Sequence, residues 1–297
     1  MSQHGIQPER ILFIVNPISG SGKHDQPERL IRRYLDSSRY VYRIVLSEYP
    51  GHAVILAQEA VQEGTDVIVA VGGDGTVNEV GRNLVGSKSV LGIIPTGSGN
   101  GLARHLGIPR DMHKAIEIIN RGKRRTIDTG SLNGRIFLNI AGAGFDAHVA
   151  RKFSMVMHRG FFSYFRIVVA SFRKYRGKNF KLVIDGVPLI KKAFLVSFAN
   201  SSQFGNNVSI DGHASIDDGL LDVCIVKKIP FWKMTVLAPL LFFRRFDRTP
   251  YVEIIRAKEI SVKRKKRRYV HLDGDPVREK KCFTVSVHPL SLHVIVP

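Results

Sequence analysis

A chain of 297 residues, 44% hydrophobic and 24% charged, has the make-up of a soluble globular protein with room for one or two domains. Forty-five Lys and Arg against 25 Asp and Glu leave a net charge of +20, an excess that attracts polyanions: nucleic acid, nucleotides or an anionic membrane face. The two cysteines, Cys224 and Cys282, match no metal or redox spacing, which points to buried thiols in a reducing compartment. The N-terminal residues carry no signal-peptide pattern. The most apolar window, Ile229 to Phe243, contains Lys233 and Pro239 and falls short of the roughly 20 residues a spanning helix needs. The expected location is the cytoplasm.

Taken in order, Ile11-Leu-Phe-Ile-Val-Asn16 is a buried-strand run followed by the small-residue loop Pro17-Ile-Ser-Gly-Ser-Gly-Lys23. Asn16 and Ser19 are side-chain donors there for a phosphate, although the Walker A spacing is absent. A helix is expected near Pro27 to Leu35, a strand at Tyr40 to Leu46 and a helix from Gly51 to Glu63. Val67-Ile-Val-Ala-Val71 then reads as a buried strand of a parallel sheet. Gly72-Gly73-Asp74-Gly75 is a turn too tight for side chains. Thr76 is the expected first residue of a helix whose apolar side is Val77, Val80 and Leu84. Unpaired N–H groups and the helix dipole make such a junction an anion site. Asp74 would repel a phosphate there unless a cation bridged them, which is the first sign of a nucleotide with Mg²⁺. Leu91 to Pro95 is a further strand, running into Thr96-Gly-Ser-Gly-Asn-Gly101. Three strand–loop–helix junctions, at 16–23, 72–79 and 95–101, would gather at the carboxyl edge of one parallel sheet, where ligands bind.

Beyond about residue 125 the character changes. Hairpins are expected around Asn133-Gly134, joining strands Thr126 to Leu132 and Arg135 to Ala141, and around Asp185-Gly186, joining Lys181 to Ile184 and Val187 to Ser197. Further strands are expected at Leu221 to Val226, Tyr251 to Val262, Tyr269 to Leu272 and Cys282 to Val287. Many strands joined by hairpins argue for an antiparallel sandwich. Leu292 to Val296 could close the chain in either domain.

Five motifs now carry a family resemblance: Asn16-Pro-Ile-Ser-Gly20, Gly72-Gly-Asp-Gly-Thr-Val-Asn-Glu79, Pro95-Thr-Gly-Ser-Gly-Asn100, Asp218-Gly-Leu-Leu-Asp222 and Asp273-Gly-Asp275. In this order, over nearly the whole chain, they resemble the diacylglycerol-kinase-type lipid kinases, which include bacterial lipid kinases and the sphingosine and ceramide kinases. The resemblance implies a three-layer α/β nucleotide-binding domain of the NAD kinase and diacylglycerol kinase kind at 1–125, completed by 289–297. A β-sandwich domain at 126–288 would complete the fold. It also implies that Asn16, Pro17, Ser19, Gly20 and Gly72, Gly73, Asp74, Gly75, Thr76, Val77, Asn78 and Glu79 contact ATP. Ser98 would be a hydroxyl donor, and Ser47 stands where relatives place a nucleotide-contacting threonine. A structural Mg²⁺ would take the Asp218 carboxylate and the backbone oxygens of Ser215 and Leu220, an all-oxygen set suited to a hard ion. Relatives usually have Asp-Gly-Glu where this chain has Asp273-Gly-Asp275, and that glutamate is the family's proposed general base. Asp275 is one methylene shorter, and Pro276 biases it toward an extended conformation. Locally, Asp273-Gly274 also reads as an ordinary hairpin turn and Asp217-Asp218-Gly219 as a turn cluster. Asn100-Gly101, where many bacterial relatives have Asn-Asp, resembles the sphingosine and ceramide kinase loop and leaves the acceptor open.

The expected activity is therefore ATP-dependent, Mg²⁺-assisted phosphorylation of a membrane-lipid hydroxyl, diacylglycerol or a sphingoid base, with Asp74 and Asp275 as its acids. The expected partner is a lipid at an anionic membrane surface, with no nucleic acid and with a homodimer left open. Arg166, Arg173, Lys174, Arg176 and Lys178 interleave with Phe161, Phe162, Tyr164, Phe165, Phe172 and Tyr175, as on an interfacial helix. The run Lys263-Arg-Lys-Lys-Arg-Arg268 adds positive charge for an anionic leaflet. Two rival readings remain. A nucleic-acid-binding protein would explain the charge but not the glycine loops. An NAD kinase would share Gly-Gly-Asp-Gly-Thr, but Val77-Asn-Glu79 and the Asp275 element favour the lipid branch.

Overall fold

The computed structural model describes residues 8–19, 26–156, 161–203, 210–211 and 213–297. The chain divides into two compact units, residues 1–127 with 291–297 and residues 128–290. The first contains β1 (Glu9–Val15), α1 (Gln26–Tyr34), β2 (Tyr40–Leu46), α2 (His52–Gln62), β3 (Val67–Gly72), α3 (Asp74–Leu84), β4 (Val90–Pro95), α4 (Gly101–His105) and α5 (Met112–Arg121). Its parallel sheet runs β2-β1-β3-β4, and Val294 lies opposite Leu91 at the far edge. Every residue of β3 and β4 is buried. That is why these strands read as unbroken apolar runs: helices cover both faces. α2 packs with α3, and α1 with α5, which also packs on β4. The Tyr40 phenol donates to the Ile119 carbonyl at 2.9 Å and ties β2 to α5.

Strand order fixes where a ligand can sit. The chain leaves β1 toward β2 on one side and returns through β3 toward β4 on the other. The carboxyl ends of β1 and β3 are therefore the switch point at which such sheets open a crevice. Helix α3 starts at Asp74, two residues earlier than the expected Thr76. Gly73 takes an extended N-cap conformation (φ −92°, ψ −170°), and its carbonyl accepts the Val77 N–H at 3.0 Å, closing the first turn.

The second unit is built from β5 (Arg124–Leu132), β6 (Arg135–Phe137), β7 (Ile140–Gly144), α6 (Phe145–Ser154), α7 (Phe161–Lys174), β8 (Lys178–Ile184), β9 (Val187–Ala193), β10 (Leu195–Ala199), β11 (Leu221–Val226), α8 (Met234–Phe242), β12 (Val252–Ala257), β13 (Glu259–Lys263), β14 (Arg268–Leu272), β15 (Asp275–Glu279) and β16 (Cys282–Ile295). β5 enters from the first unit and β16 returns to it. One antiparallel sheet runs β12-β11-β10-β7-β14-β15; the other joins β16, β13, β8 and β9. Phe137, Phe180, Phe198 and Phe283 fill the space between them. Phe145, Phe172, Phe194 and Val226 form a second core on the far side of the first sheet, covered in part by Ile167 and Val168 of α7 and by Leu237 and Leu240 of α8.

The Asn133-Gly134 and Asp185-Gly186 hairpins form as expected. Both central residues of each have positive φ, as in a type I′ turn (48° and 79°; 45° and 84°). Three long strands expected from the sequence are broken. The run from Arg135 stops at Phe137 because the N–H groups of Leu138, Asn139 and Ile140 all turn to the Asp273 carboxylate. The run from Val187 divides into β9 and β10, and that from Tyr251 into β12 and β13, which serve different sheets. Both cysteines are free thiols, but only Cys224 is buried; Cys282 is exposed at the start of β16, against the expectation for both.

Asp222 on β11 is buried, and its pKa is pushed up to about 7, first by burial and then by Asp211, with Arg256 opposing. The folded chain thus holds a proton that the unfolded chain releases near pH 4. This stabilisation is complete below the unfolded pKa and is lost as pH rises through about 7. Urea unfolding across this range should show stability falling with pH, and Asp222→Asn should remove that part of the slope.

Candidate active site

The three junctions of the first unit meet at the switch point. The Asn16 N–H donates to the Val71 carbonyl at 2.9 Å, so the end of β1 is stitched to the end of β3. Asn16 Nδ2 donates to Thr76 Oγ1 at 3.1 Å, and its Oδ1 accepts the Ile18 N–H at 3.0 Å. Ser19 Oγ and Thr96 Oγ1 share a hydrogen bond at 2.6 Å, joining the first loop to the third. Ser47 is carried to the same edge by its N–H bond to the Val15 carbonyl at 2.8 Å. Asn16, Ser19, Ser47, Thr76 and Thr96 are therefore polar groups of one strand edge. Gly20 lies outside the described residues.

The glycines permit this approach. A Cβ on Gly97 would stand 2.5 Å from Gly73 Cα, one on Gly99 2.4 Å from Asp74 Oδ2, and one on Gly72 2.4 Å from Thr76 Oγ1. Around Gly75 there is open space, so the start of α3 is bare. The N–H groups of Asp74, Gly75 and Thr76 have no intrahelical acceptor and supply the anion site.

Asp74 has a role the sequence did not disclose. Its Oδ2 accepts the Asn100 N–H at 2.8 Å and its Oδ1 the Gly101 N–H at 2.6 Å. The carboxylate thus caps α4 from the first residue of α3, while each oxygen keeps a second lone pair. Asn100 is buried in a left-handed conformation (φ 54°, ψ 50°), with its Nδ2 donating to the Gly97 carbonyl at 2.7 Å. Its buried Oδ1 has no hydrogen-bond partner among the described residues. Pro17 and Glu79 are half-buried, Val77 and Asn78 are buried within α3, and Ser98 is exposed on the third loop.

In the second unit, Asp273-Gly274 is a hairpin turn of the same type, φ 47° and 93°, joining β14 to β15. The Asp273 carboxylate accepts three backbone N–H groups, those of Leu138, Asn139 and Ile140, each at 2.8 Å. Asp273 anchors the turn, and Asp275 opens β15 as an exposed residue. Beneath the turn lies a group that no local sequence motif marks. His271 Nε2 meets Asp146 Oδ2 at 3.1 Å, and Ser197 Oγ donates to the same oxygen at 3.2 Å. With Nε2 carrying the hydrogen, Nδ1 is left as the acceptor facing the Gly274 N–H at 3.4 Å. His271 stands on β14 two residues before Asp273, the one signal that tied it to this turn.

The proposed Mg²⁺ set is arranged around other partners. Asp218 Oδ1 accepts the Leu220 N–H at 3.1 Å, and Oδ2 pairs with the Arg256 guanidinium. Ser215 Oγ donates to Asp217 at 3.0 Å. The Gly219 N–H donates to the buried Asp128 at 2.7 Å. Among the described residues no group of three or more His, Cys, Asp or Glu is placed to hold a metal ion. The Asp218 carboxylate is thus shared between the Leu220 N–H and the Arg256 guanidinium.

α7 and α8 present an apolar surface. Met234, Leu237, Leu240 and Leu241 face the core, while Trp232, Val236 and Phe243 are 71%, 72% and 72% exposed. Tyr164, Phe165 and Val169 of α7 are exposed as well. Arg173 lies over the Phe231 ring at 5.6 Å. Among the described residues no helix is long and apolar enough to cross a membrane.

Comparison with known proteins agrees with this geometry. Residues 10–132 match the family described as diacylglycerol kinase catalytic domain, and residues 139–296 the YegS C-terminal NAD kinase beta sandwich-like domain. A Mycobacterium tuberculosis protein named diacylglycerol kinase is 32% identical over 266 residues, covering 85% of this chain and 84% of that protein. A Bacillus subtilis diacylglycerol kinase is 29% identical over 276 residues and 90% of each chain. A crystal structure of a Bacillus anthracis diacylglycerol kinase superposes with a TM-score of 0.77 at 22% identity over 98% of both chains, which speaks for the fold. The chain belongs to the diacylglycerol kinase family of lipid kinases, phosphotransferases with an alcohol group as acceptor.

The contact between Gly73 and Gly97 leaves no room for a methyl group. Gly97→Ala is expected to weaken nucleotide binding by about tenfold or more, equivalent to about 1.4 kcal/mol, with the fold retained. Calorimetric titration with ATP beside a thermal unfolding curve measures both.

Proposed function

We propose that the protein is an ATP-dependent kinase that phosphorylates a hydroxyl of a membrane lipid, such as diacylglycerol or a sphingoid base. The observation that carries the donor half of this reading is the convergence of three glycine-bearing junctions on the bare N-terminus of α3. Its free N–H groups and the Asn16, Ser19, Thr76 and Thr96 side chains suit the oxygens of a phosphate chain. Mg²⁺ would accompany the nucleotide near Asp74, whose remaining lone pairs suit a hard ion, and it would neutralise phosphate charge. Phosphoryl transfer asks the protein for positioning and electrostatics more than for covalent chemistry.

For the acceptor half, Asp275 is the acid that orients the lipid hydroxyl and takes its proton. A hydroxyl of high pKa releases that proton only once the new P–O bond is forming, so Asp275 acts late. The anchored Asp273 supports this role, since a turn held by three amides displays the next acid in a fixed place. Asp275→Asn should lower turnover by about a hundredfold or more while leaving ATP affinity unchanged; unaltered turnover would remove Asp275 from the reaction. Incubation with labelled ATP and separate samples of diacylglycerol, monoacylglycerol, sphingoid base, ceramide and NAD identifies the acceptor and tests the NAD-kinase alternative.

A lipid acceptor calls for a surface that meets the bilayer, and the exposed apolar residues of α7 and α8 suit it. Trp232, Val236 and Phe243 would enter the headgroup boundary while Arg173, Lys233, Arg244 and Arg245 stay at its polar edge. The apolar window from Ile229 is too short to span a bilayer, and its length suits a helix lying in the interface. Trp232→Glu combined with Phe243→Glu should reduce co-sedimentation with anionic vesicles about tenfold or more, with thermal stability unchanged.

A further inference from the structure

Nine Lys and Arg side chains and no Asp or Glu line one cavity of about 830 Å³ within the second unit. Its walls come from Arg151 of α6, Lys178 of β8, Lys192 of β9, Arg278 of β15 and the segment from Arg264 to Arg268. The sequence suggested that this basic run lies against a flat leaflet. The fold wraps it around a hollow.

Arg264 sets the shape. It is 8% exposed, and its guanidinium donates to the carbonyls of Tyr269, Arg268 and Lys280 at 3.2, 3.3 and 3.1 Å while lying over the Phe283 ring at 4.8 Å. Its buried Nε has no hydrogen-bond partner among the described residues. Burial lowers its pKa to about 10, which still leaves it charged at neutral pH. Aromatic rings, rather than acids, brace two of the other cations. Arg151 lies 4.4 Å from the Tyr269 ring centre and Lys178 5.6 Å from that of Tyr175. Glu279, the acid of the adjoining strand, is buried and paired with Arg135 at 3.9 Å.

Nine like charges around one hollow repel each other, and no acid in its lining offsets them. A single phosphate engages two or three cations; the number and spread here suit several. The volume is within the range of small-molecule sites, roughly 300–1,000 Å³. Arg264, buried within this lining, favours a compact ligand over a flat surface. We infer that this cavity binds a polyanion bearing several phosphate groups, at residues distinct from the nucleotide loops. The multiply charged headgroup of a lipid and a soluble polyphosphate share this chemistry. The inference does not depend on which acceptor the kinase uses.

Calorimetry with inositol hexakisphosphate as the probe tests it. Wild-type protein should bind the probe, and Arg151→Gln/Lys178→Gln/Arg268→Gln should lose at least about tenfold in affinity. Arg29→Gln/Arg32→Gln/Arg33→Gln on α1 removes the same charge from elsewhere and should bind as wild-type does. Gly97→Ala should keep the probe while losing ATP, which separates this site from the nucleotide reading. Should the triple cavity variant fold poorly, Lys192→Gln/Arg278→Gln on other walls provides the same readout. Wild-type affinity in the cavity variants, equal loss in the α1 variant, or loss that follows Gly97→Ala overturns the site. Cardiolipin vesicles added with the probe identify the source. Displacement of protein from vesicles by the probe assigns a lipid headgroup, and undisturbed vesicle binding assigns a soluble anion.

Discussion

The Asp74 carboxylate holds the first unit's site in shape. It joins the first residue of α3 to the first turn of α4, taking one amide hydrogen on each oxygen. Charge-assisted bonds of this kind are roughly twice as strong as neutral ones, and here they span two loops that share no regular secondary structure. Gly73, Gly97 and Gly99 follow from it, because a side chain at any of them would push the loops apart or strike the carboxylate. The helix N-terminus that suits a phosphate stays bare because the acid beside it is turned sideways onto backbone amides. The two amides offset part of the Asp74 charge beside the pocket it helps to build.

Asp273 repeats the device in the second unit. It gathers three amides of the β6–β7 connection and so breaks the strand the sequence led one to expect. Two residues on, Asp275 stands exposed at the start of β15. The turn reading and the catalytic reading of Asp-Gly-Asp are therefore compatible: the first acid makes the turn and the second is displayed by it. Asp128, taking the Gly219 and Leu290 N–H groups, and Asp185, taking those of Lys258 and Glu259, do similar work.

The fold was largely legible because its signals are local. Parallel strands buried on both faces read as apolar runs, glycine junctions mark their carboxyl ends, and Asn-Gly or Asp-Gly marks type I′ hairpins. What stayed hidden depends on contacts between residues far apart in the chain. Nothing near Asp74 announces that its partners are the amides of Asn100 and Gly101. Nothing near Arg135 announces that Asp273 will end its strand. The His271–Asp146–Ser197 group is assembled from three separate elements, and the Arg256 contact to Asp218 crosses from β12 to a loop. α8 is hidden differently: its hydrophobicity is plain and its length rules out a span, but a helix with one face on the core and an apolar face outward satisfies a different criterion.

The same acids explain where the charge excess goes. Of 25 Asp and Glu, several are committed to backbone amides inside the loops, so they are not available to pair with the 45 Lys and Arg at the surface. These acids keep their charge, and the net +20 is what the surface presents. Fold topology sorts that field into two forms in the second unit. Around α7 and α8 cations flank exposed aromatics, a combination that gains from an extended apolar phase. Between α6, β8 and the 264–268 segment they surround a hollow braced by tyrosines, where only a ligand that brings its own negative charge can offset the repulsion. Shape, more than charge, distinguishes the two surfaces, and shape is what the basic run Lys263 to Arg268 could not convey by its composition.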